Sequence, residues 1–109
     1  MAKLERIIRG GDFRGLLLRI EQGITGGNVS ASLEDGSDFS DGNTRCSVRV
    51  FERYSWIGKN RVSLNVTLFQ GADGVIYLSA ITSGGSQAVF VKVNTFGESA
   101  FLEKLEALL

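Results

Sequence analysis

Residues 82–87, with the sequence TSGGSQ, combine three hydroxyl side chains with two adjacent glycines. Hydroxyl groups and consecutive backbone amides are groups that hold a small anion. A nucleotide-binding P-loop would need a lysine and a hydroxyl residue directly after the glycines, followed by a helix. Here a glutamine, an alanine and a strand-like run follow, which is more typical of a glycine bend between strands. If the segment binds an anionic ligand instead, the candidate residues are Thr82, Ser83, Gly84, Gly85, Ser86 and Gln87.

Three arginines, Arg45, Arg49 and Arg53, are spaced four residues apart and share strand parity with an aromatic residue. Side chains of equal parity lie on one face of a strand. Arginines interleaved with an aromatic ring can bind single-stranded nucleic acid. However, the chain carries 12 basic and 12 acidic residues, and this balance argues against nucleic acid. This face is therefore interpreted as a solvated face or as a self-association surface. The candidate residues for self-association are Arg45, Arg49, Phe51, Arg53 and Phe69.

The residue types needed for common catalytic and metal sites are scarce. The chain has no histidine, which removes the commonest general base and metal ligand. Its one cysteine, Cys46, stands among apolar residues of equal parity and is interpreted as a small buried hydrophobe. Asp35, Asp38 and Asp41 have the wrong spacing for a calcium loop, so the acidic segment 34–43 is interpreted as a polar loop between strands. No catalytic residue, metal or cofactor is predicted.

The elements that must position these residues follow from the hydrophobic pattern. Residues 3–9 fit either a helix, with Leu4, Ile7 and Ile8 on one side, or a short strand before two glycines, and the strand is favoured. Residues 12–25 favour a helix that begins at Asp12, because its carboxylate can accept from the free amides of the first turn. The apolar face of this helix is formed by Phe13, Leu16, Leu17, Ile20 and Ile24.

From residue 28 onward, apolar residues alternate with polar ones, which is typical of strands with one buried and one wet face. Short glycine-containing turns at 57–60 and 71–74 indicate antiparallel neighbours. Residues 88–94 are a further possible strand. Thr95 and Glu98 form a capping box at the start of a last helix. The predicted inner strand residues are Val29, Ala31, Leu33, Cys46, Val48, Val50, Val62, Leu64, Val66 and Leu68. The predicted apolar face of the last helix is Phe101, Leu102, Leu105, Leu108 and Leu109.

The sequence therefore predicts one α+β domain over residues 1–109, in the order β-α-β-β-β-β-(β)-α. An antiparallel sheet of five or six strands would carry both helices on one face, because each element has one apolar face to bury. The arginines and Phe69 would lie on the opposite face. No segment has the character of a membrane span or a secretory signal, and with the single cysteine this predicts a cytoplasmic protein.

Four segments carry a resemblance to a known family: SASLEDGSDFSDG, RCSVRVFERYSWIGKNRVSLNVTLF, LSAITSGGSQAVF and NTFGESAFL. Together they resemble a family of small bacterial proteins of about this length, chiefly from Firmicutes, with no assigned activity. The resemblance implies a bacterial cytoplasmic protein and supplies no catalytic residue. The element order is also similar to the TATA-binding-protein-like fold and to the helix-grip fold, a likeness of architecture that assigns no function.

The function predicted from these observations is that of a non-catalytic module. It would bind a small anionic ligand, or a second copy of itself, through the sheet and the 80–90 region. One alternative is a protein that binds single-stranded nucleic acid through the arginine-bearing face. Another is an enzyme acting on a small phosphorylated or carboxylated substrate held at 82–86.

Overall fold

The computed structural model describes residues 1–26, 31–55, 60–84 and 101–109. Five strands and two helices follow one another in these ranges. The elements are β1 (Lys3–Ile8), α1 (Phe13–Thr25), β2 (Ala31–Asp41), β3 (Thr44–Ser55), β4 (Asn60–Gln70), β5 (Ile76–Gly84) and the described part of a helix α2 (residues 101–106). The predicted strand at 88–94 and the predicted capping box lie outside the described residues.

The strands form one antiparallel sheet in the order β1-β5-β4-β3-β2. Strands β2 to β5 follow one another as a meander, and β1 pairs with β5 at the far edge. Helix α1 joins β1 to β2 and therefore connects the two edge strands of the sheet. The predicted α+β fold and its element order are confirmed.

One side of the sheet, which we call the helix face, packs against both helices. The side chains of α1 and α2 join those of β3, β4 and β5 in a single buried cluster. The helix residues in this cluster are Phe13, Leu16, Leu17, Ile20, Ile24, Phe101, Leu102 and Leu105. Helix α1 begins as predicted, because Asp12 Oδ2 accepts from the backbone amide of Gly15 at 3.2 Å. Within the described residues, no helix is long and apolar enough to cross a lipid bilayer.

The prediction that Cys46, Val48 and Val50 lie on the inner face of β3 is wrong. Phe51 is fully buried and pairs with Leu64 of β4, which is also fully buried. Directly opposed residues of an antiparallel pair lie on the same face, so alternate positions along β3 from Phe51 face the helices. The cause is that both faces of β3 carry apolar residues, and the larger phenylalanine takes the core position opposite the leucine-rich face of β4.

Because β3 has the reverse orientation, its arginines lie on the other side of the sheet from the one predicted. Arg45, Arg49, Phe51 and Arg53 share one face, as their parity predicts, but it is the helix face and not the outward one. Phe69, which is predicted beside them, lies on the opposite side of the sheet. Long arginine stems can lie along apolar surface while the guanidinium reaches polar partners at the margin.

The acidic segment 34–43 is also different from its prediction, because it is strand and not loop. Strand β2 extends to Asp41, with a register shift between Leu33 and Asp35. A two-residue turn then leads into β3, and Gly42 adopts a φ of 59° there. That conformation favours glycine.

Candidate functional site

The side of the sheet away from the helices, which we call the open face, carries a row of apolar side chains across all five strands. The strand register places these residues directly beside one another. In order from the β1 edge to the β2 edge, the apolar row consists of Ile7, Tyr77, Phe69, Cys46 and Phe39. Cross-strand neighbours of this kind are in side-chain contact, as the ring centroids of Phe69 and Tyr77, 6.2 Å apart, illustrate.

The apolar row is accessible to solvent. Phe39 is 71% exposed and Ile7 is 57% exposed, while the two rings between them are less exposed. None of the row belongs to the buried cluster, which is confined to the helix face. A contiguous exposed row of large apolar side chains is the kind of surface that marks an interaction site.

A concave region of about 600 Å³ lies on the open face at the β1 side of the row. Ile7, Phe69 and Tyr77 supply its apolar wall, and Glu5, Thr67 and Ser79 supply polar groups. The volume and the mixture of apolar and polar lining are those of a site that accepts a side chain or a small molecule.

Two further rows lie beside the apolar row on the open face and are more polar. The row next to it comprises Glu5, Ser79, Thr67, Val48 and Ser37, and the third comprises Lys3, Ile81, Asn65, Val50 and Asp35. The third row thus has a cation at the β1 edge and an anion at the β2 edge. Lys3 also lies 4.0 Å from Glu5, and both side chains are well exposed.

On the helix face, Arg49 is at the centre of a polar network between β2, β3 and α1. Its Nε donates to Glu21 Oε2 at 2.6 Å, and its Nη2 lies 3.0 Å from Asp38 Oδ1. Asp38 also accepts from the buried hydroxyl of Ser47 at 2.6 Å. The Arg49 side chain is only 12% exposed, so its charge is compensated almost entirely within the protein.

The pKa values of this network follow from its contacts. Burial lowers the pKa of Arg49, but the hydrogen bonds and charges of Glu21 and Asp38 outweigh burial and leave it raised. The hydrogen bond from Ser47 has the largest effect and lowers the pKa of Asp38. Burial acts in the opposite direction, and the hydrogen bond and charge of Arg49, with the charge of Arg14, lower the pKa further. Both residues therefore keep their charges at neutral pH.

The other two arginines on the helix face stack on aromatic rings of the core. The guanidinium of Arg45 lies 5.5 Å from the ring centroid of Phe13, and that of Arg53 lies 5.6 Å from the ring centroid of Phe101. These are cation–π distances. The idea of a nucleic-acid surface depended on outward arginines, and the structure places these side chains against the helices.

A second cavity, of about 300 Å³, lies between the first turns of α1 and the β2–β3 hairpin. We call it the arginine cavity, because its lining is Phe13, Arg14, Leu17, Asp38, Phe39, Ser40, Arg45, Ser47 and Arg49. Three cationic side chains and one anionic side chain line it. Sequence reasoning missed this site because it combines residues from the helix with residues from the strand face that was predicted to point outward.

The described half of the predicted anion site belongs to β5. Thr82 is fully buried, and its hydroxyl accepts from the backbone amide of Ala2 at 3.1 Å. Ser83 lies on the open face, with its hydroxyl 2.8 Å from that of Ser63. These two hydroxyl groups thus point to opposite sides of the sheet. Gly85, Ser86 and Gln87 lie outside the described residues, so ligand binding by 82–87 stays a prediction.

Comparison with known proteins gives a family without a function. No curated protein matches the chain. The match to DUF6054, described as a family of unknown function, extends over residues 1–109. The chain therefore belongs to the DUF6054 family.

Proposed function

We propose that this protein is a non-catalytic module that associates with a second copy of itself through the open face of the sheet. The observation that supports this most directly is the apolar row, which crosses the whole width of the sheet. Water-facing positions on a two-layer sheet are ordinarily polar. Four large apolar side chains and a cysteine at five neighbouring positions are explained if another surface covers them.

The size of the open face fits a dimer interface. With strands about 4.8 Å apart and a rise of about 3.3 Å per residue, the face is about 20 Å across and about 30 Å long. Its projected area of roughly 600 Å² is close to the about 800 Å² that each partner contributes to a standard protein interface. Moreover, the formal net charge of the chain is zero, so two copies approach without long-range repulsion.

The arrangement of side chains on the open face is self-complementary about one axis. A two-fold axis parallel to β4 and between the facing sheets places β1 of one copy over β2 of the other, and each row over itself. Ile7 then faces Phe39 of the second copy, and the two Phe69 rings meet at the centre. Lys3 faces Asp35 of the second copy at both ends of the third row. Isologous contacts of this kind occur in most homodimers.

The edges of the sheet are less suited to association than its face. Edge strands that must not pair carry charges, bulges or short lengths. Strand β2 has a register shift in its first half and the acidic residues Glu34, Asp35, Asp38 and Asp41. Strand β1 has only six residues, four of them exposed, and one of these, Arg6, forms an ion pair with Glu106. Two copies therefore meet more readily face to face.

Sedimentation equilibrium over a concentration series into the millimolar range tests the proposal. The wild-type chain is expected to approach twice the monomer mass of 11.8 kDa. Phe69→Ser removes the ring at the centre of the interface and is expected to weaken association by about tenfold or more. The matched control is Leu18→Ser, because Leu18 is equally exposed but lies on α1.

The control variant is expected to associate like the wild type. A wild-type mass that stays at the monomer value over the whole series would contradict the proposal. Equal weakening by both serine variants would also contradict it, because the effect would then come from general stability or surface polarity and not from the open face.

We further propose that the working form is a cytoplasmic homodimer in a bacterium. The single cysteine suits a reducing compartment, and the resemblance to small Firmicutes proteins supports a bacterial source. Fractionation of the natural host with an antibody against the chain, followed by crosslinking of the fraction that contains it, tests both parts. Recovery outside the cytoplasm would exclude the proposed location.

A further inference from the structure

The arginine cavity has a polarity that differs from that of the open face. Arg49 is held in place by Glu21 and Asp38, so its guanidinium is a fixed part of the wall. The two oxygens of Asp38 are engaged by Ser47 and Arg49. The anionic member of the lining is therefore already compensated inside the protein.

Two other guanidinium groups at the cavity make no ion pair among the described residues, although the charge of Arg14 acts on Asp38 from a distance. In the part of the chain that the structure describes, Arg14 and Arg45 donate no hydrogen bond to a protein acceptor. Arg45 lies over the Phe13 ring, a contact that places its guanidinium without using its N–H donors. Arginine donors arranged around a small cavity match the oxygens of a carboxylate or phosphate group.

We propose that the arginine cavity binds a small ligand with a carboxylate or phosphate group, held by Arg14 and Arg45. The acid group lies between these two guanidinium groups, and an apolar part of the ligand rests on Phe13 and Leu17. A cavity of about 300 Å³ accepts a molecule of modest size and no polymer. The two guanidinium groups are on the helix face, so the site shares only Phe39 of its lining with the proposed self-association surface.

Titration with inorganic phosphate and with benzoate, followed by ¹⁵N NMR at constant ionic strength, tests the proposal. Phosphate tests whether the cavity binds a phosphate group, and benzoate tests whether it binds a carboxylate joined to an apolar ring. Saturable shifts are expected at the amides of Phe13 and Ser47 and at the Nε–Hε group of Arg45. Saturation by one of the two compounds assigns the acid group, and saturation by both assigns a site for either group.

Arg45→Gln and Arg14→Gln are each expected to weaken binding by about tenfold, since each removes charge-assisted hydrogen bonds. Arg19→Gln is the matched control, because Arg19 is an exposed arginine of the same helix that does not line the cavity. Arg14 is exposed, so its variant keeps the test valid if the Arg45 variant folds poorly.

Three results would overturn the proposal. The first is shifts that rise linearly with both compounds and never saturate. The second is a wild-type affinity in the Arg14 variant. The third is equal weakening by the Arg19 control, which would show diffuse attraction to surface charge instead of a site.

Discussion

The ion pair between Glu21 of α1 and Arg49 of β3 allows a direct test of the side of the sheet on which the arginines lie. Glu21→Gln keeps the shape and one acceptor oxygen of this side chain but removes its charge. In the wild type, Arg49 Nε donates to Glu21 Oε2 at 2.6 Å, and the two side chains are 12% and 23% exposed. The substitution therefore leaves a largely buried guanidinium with less compensation.

The size of the effect lies between two limits. Exposed ion pairs contribute about 0–1 kcal/mol, whereas removing one partner of a fully buried pair costs about 3–5 kcal/mol. Arg49 keeps Asp38 and the carbonyl of Val48, so its charge is not left alone. We expect a loss of about 2 kcal/mol in the free energy of unfolding, which corresponds to a fall of roughly 8 °C in Tm for a chain of this size.

Urea denaturation followed by circular dichroism measures this loss, and a double-mutant cycle assigns it to the pair. In an Arg49→Met background, Glu21→Gln is expected to cost less than about 0.5 kcal/mol, because no guanidinium remains to be compensated. Glu5→Gln is the control, because the Glu5–Lys3 ion pair is well exposed and long, with 4.0 Å between Glu5 Oε1 and Lys3 Nζ. An equal loss in both backgrounds, or no loss in the wild-type background, would refute the placement of Arg49 against α1.

Three further predictions concern charge and exposure. Because Ser47 and Arg49 lower the pKa of Asp38 below its ordinary value of 3.8, its carboxylate stabilises the fold above that pH and loses this contribution as pH falls through the lowered pKa. Asp38→Asn should therefore lower Tm at neutral pH, and its effect on Tm should shrink as the pH is lowered below 3.8. Lys3→Asp or Asp35→Lys alone should weaken self-association about fivefold, because each dimer loses two Lys3–Asp35 contacts of about 0.5 kcal/mol each. The double variant should restore association, as measured by sedimentation equilibrium. Cys46, half-buried on the open face, should react with a maleimide in the native protein, and more slowly at concentrations where dimers form. Reaction only after denaturation would contradict that placement.

The elements that were predicted correctly are those in which one face is clearly more apolar than the other. Helix α1 has five large apolar residues on one side and begins at the predicted cap. In β4, valines and leucines alternate with serine, asparagine and threonine, so its buried face could be identified without a structure. Such segments depend little on their neighbours for their orientation.

The segment 34–43 was misassigned as a loop because its composition is that of a loop, although its residues up to Asp41 belong to β2. Four acidic residues and two glycines disfavour strand structure in isolation. Pairing with β3 overrides that preference, and an edge position lets the side chains stay in water. The sequence does contain one signal of the hairpin, since Gly42 and Asn43 form a two-residue turn of the kind that joins antiparallel strands.

Strand β3 shows why the candidate sites could not be located from alternation alone. On its open face, Cys46, Val48 and Val50 occupy positions where neighbouring β4 has Phe69, Thr67 and Asn65. When the solvent-facing side of a strand carries valines, alternation alone predicts that this side is buried. Only the pairing with residues of the neighbouring strand shows which side faces the core. The feature that misled the prediction also supports the proposed interface. If a second copy covers the open face, the small apolar side chains on β3 become buried there. On the other face, Arg45 and Arg49 of β3 line the cavity beside α1.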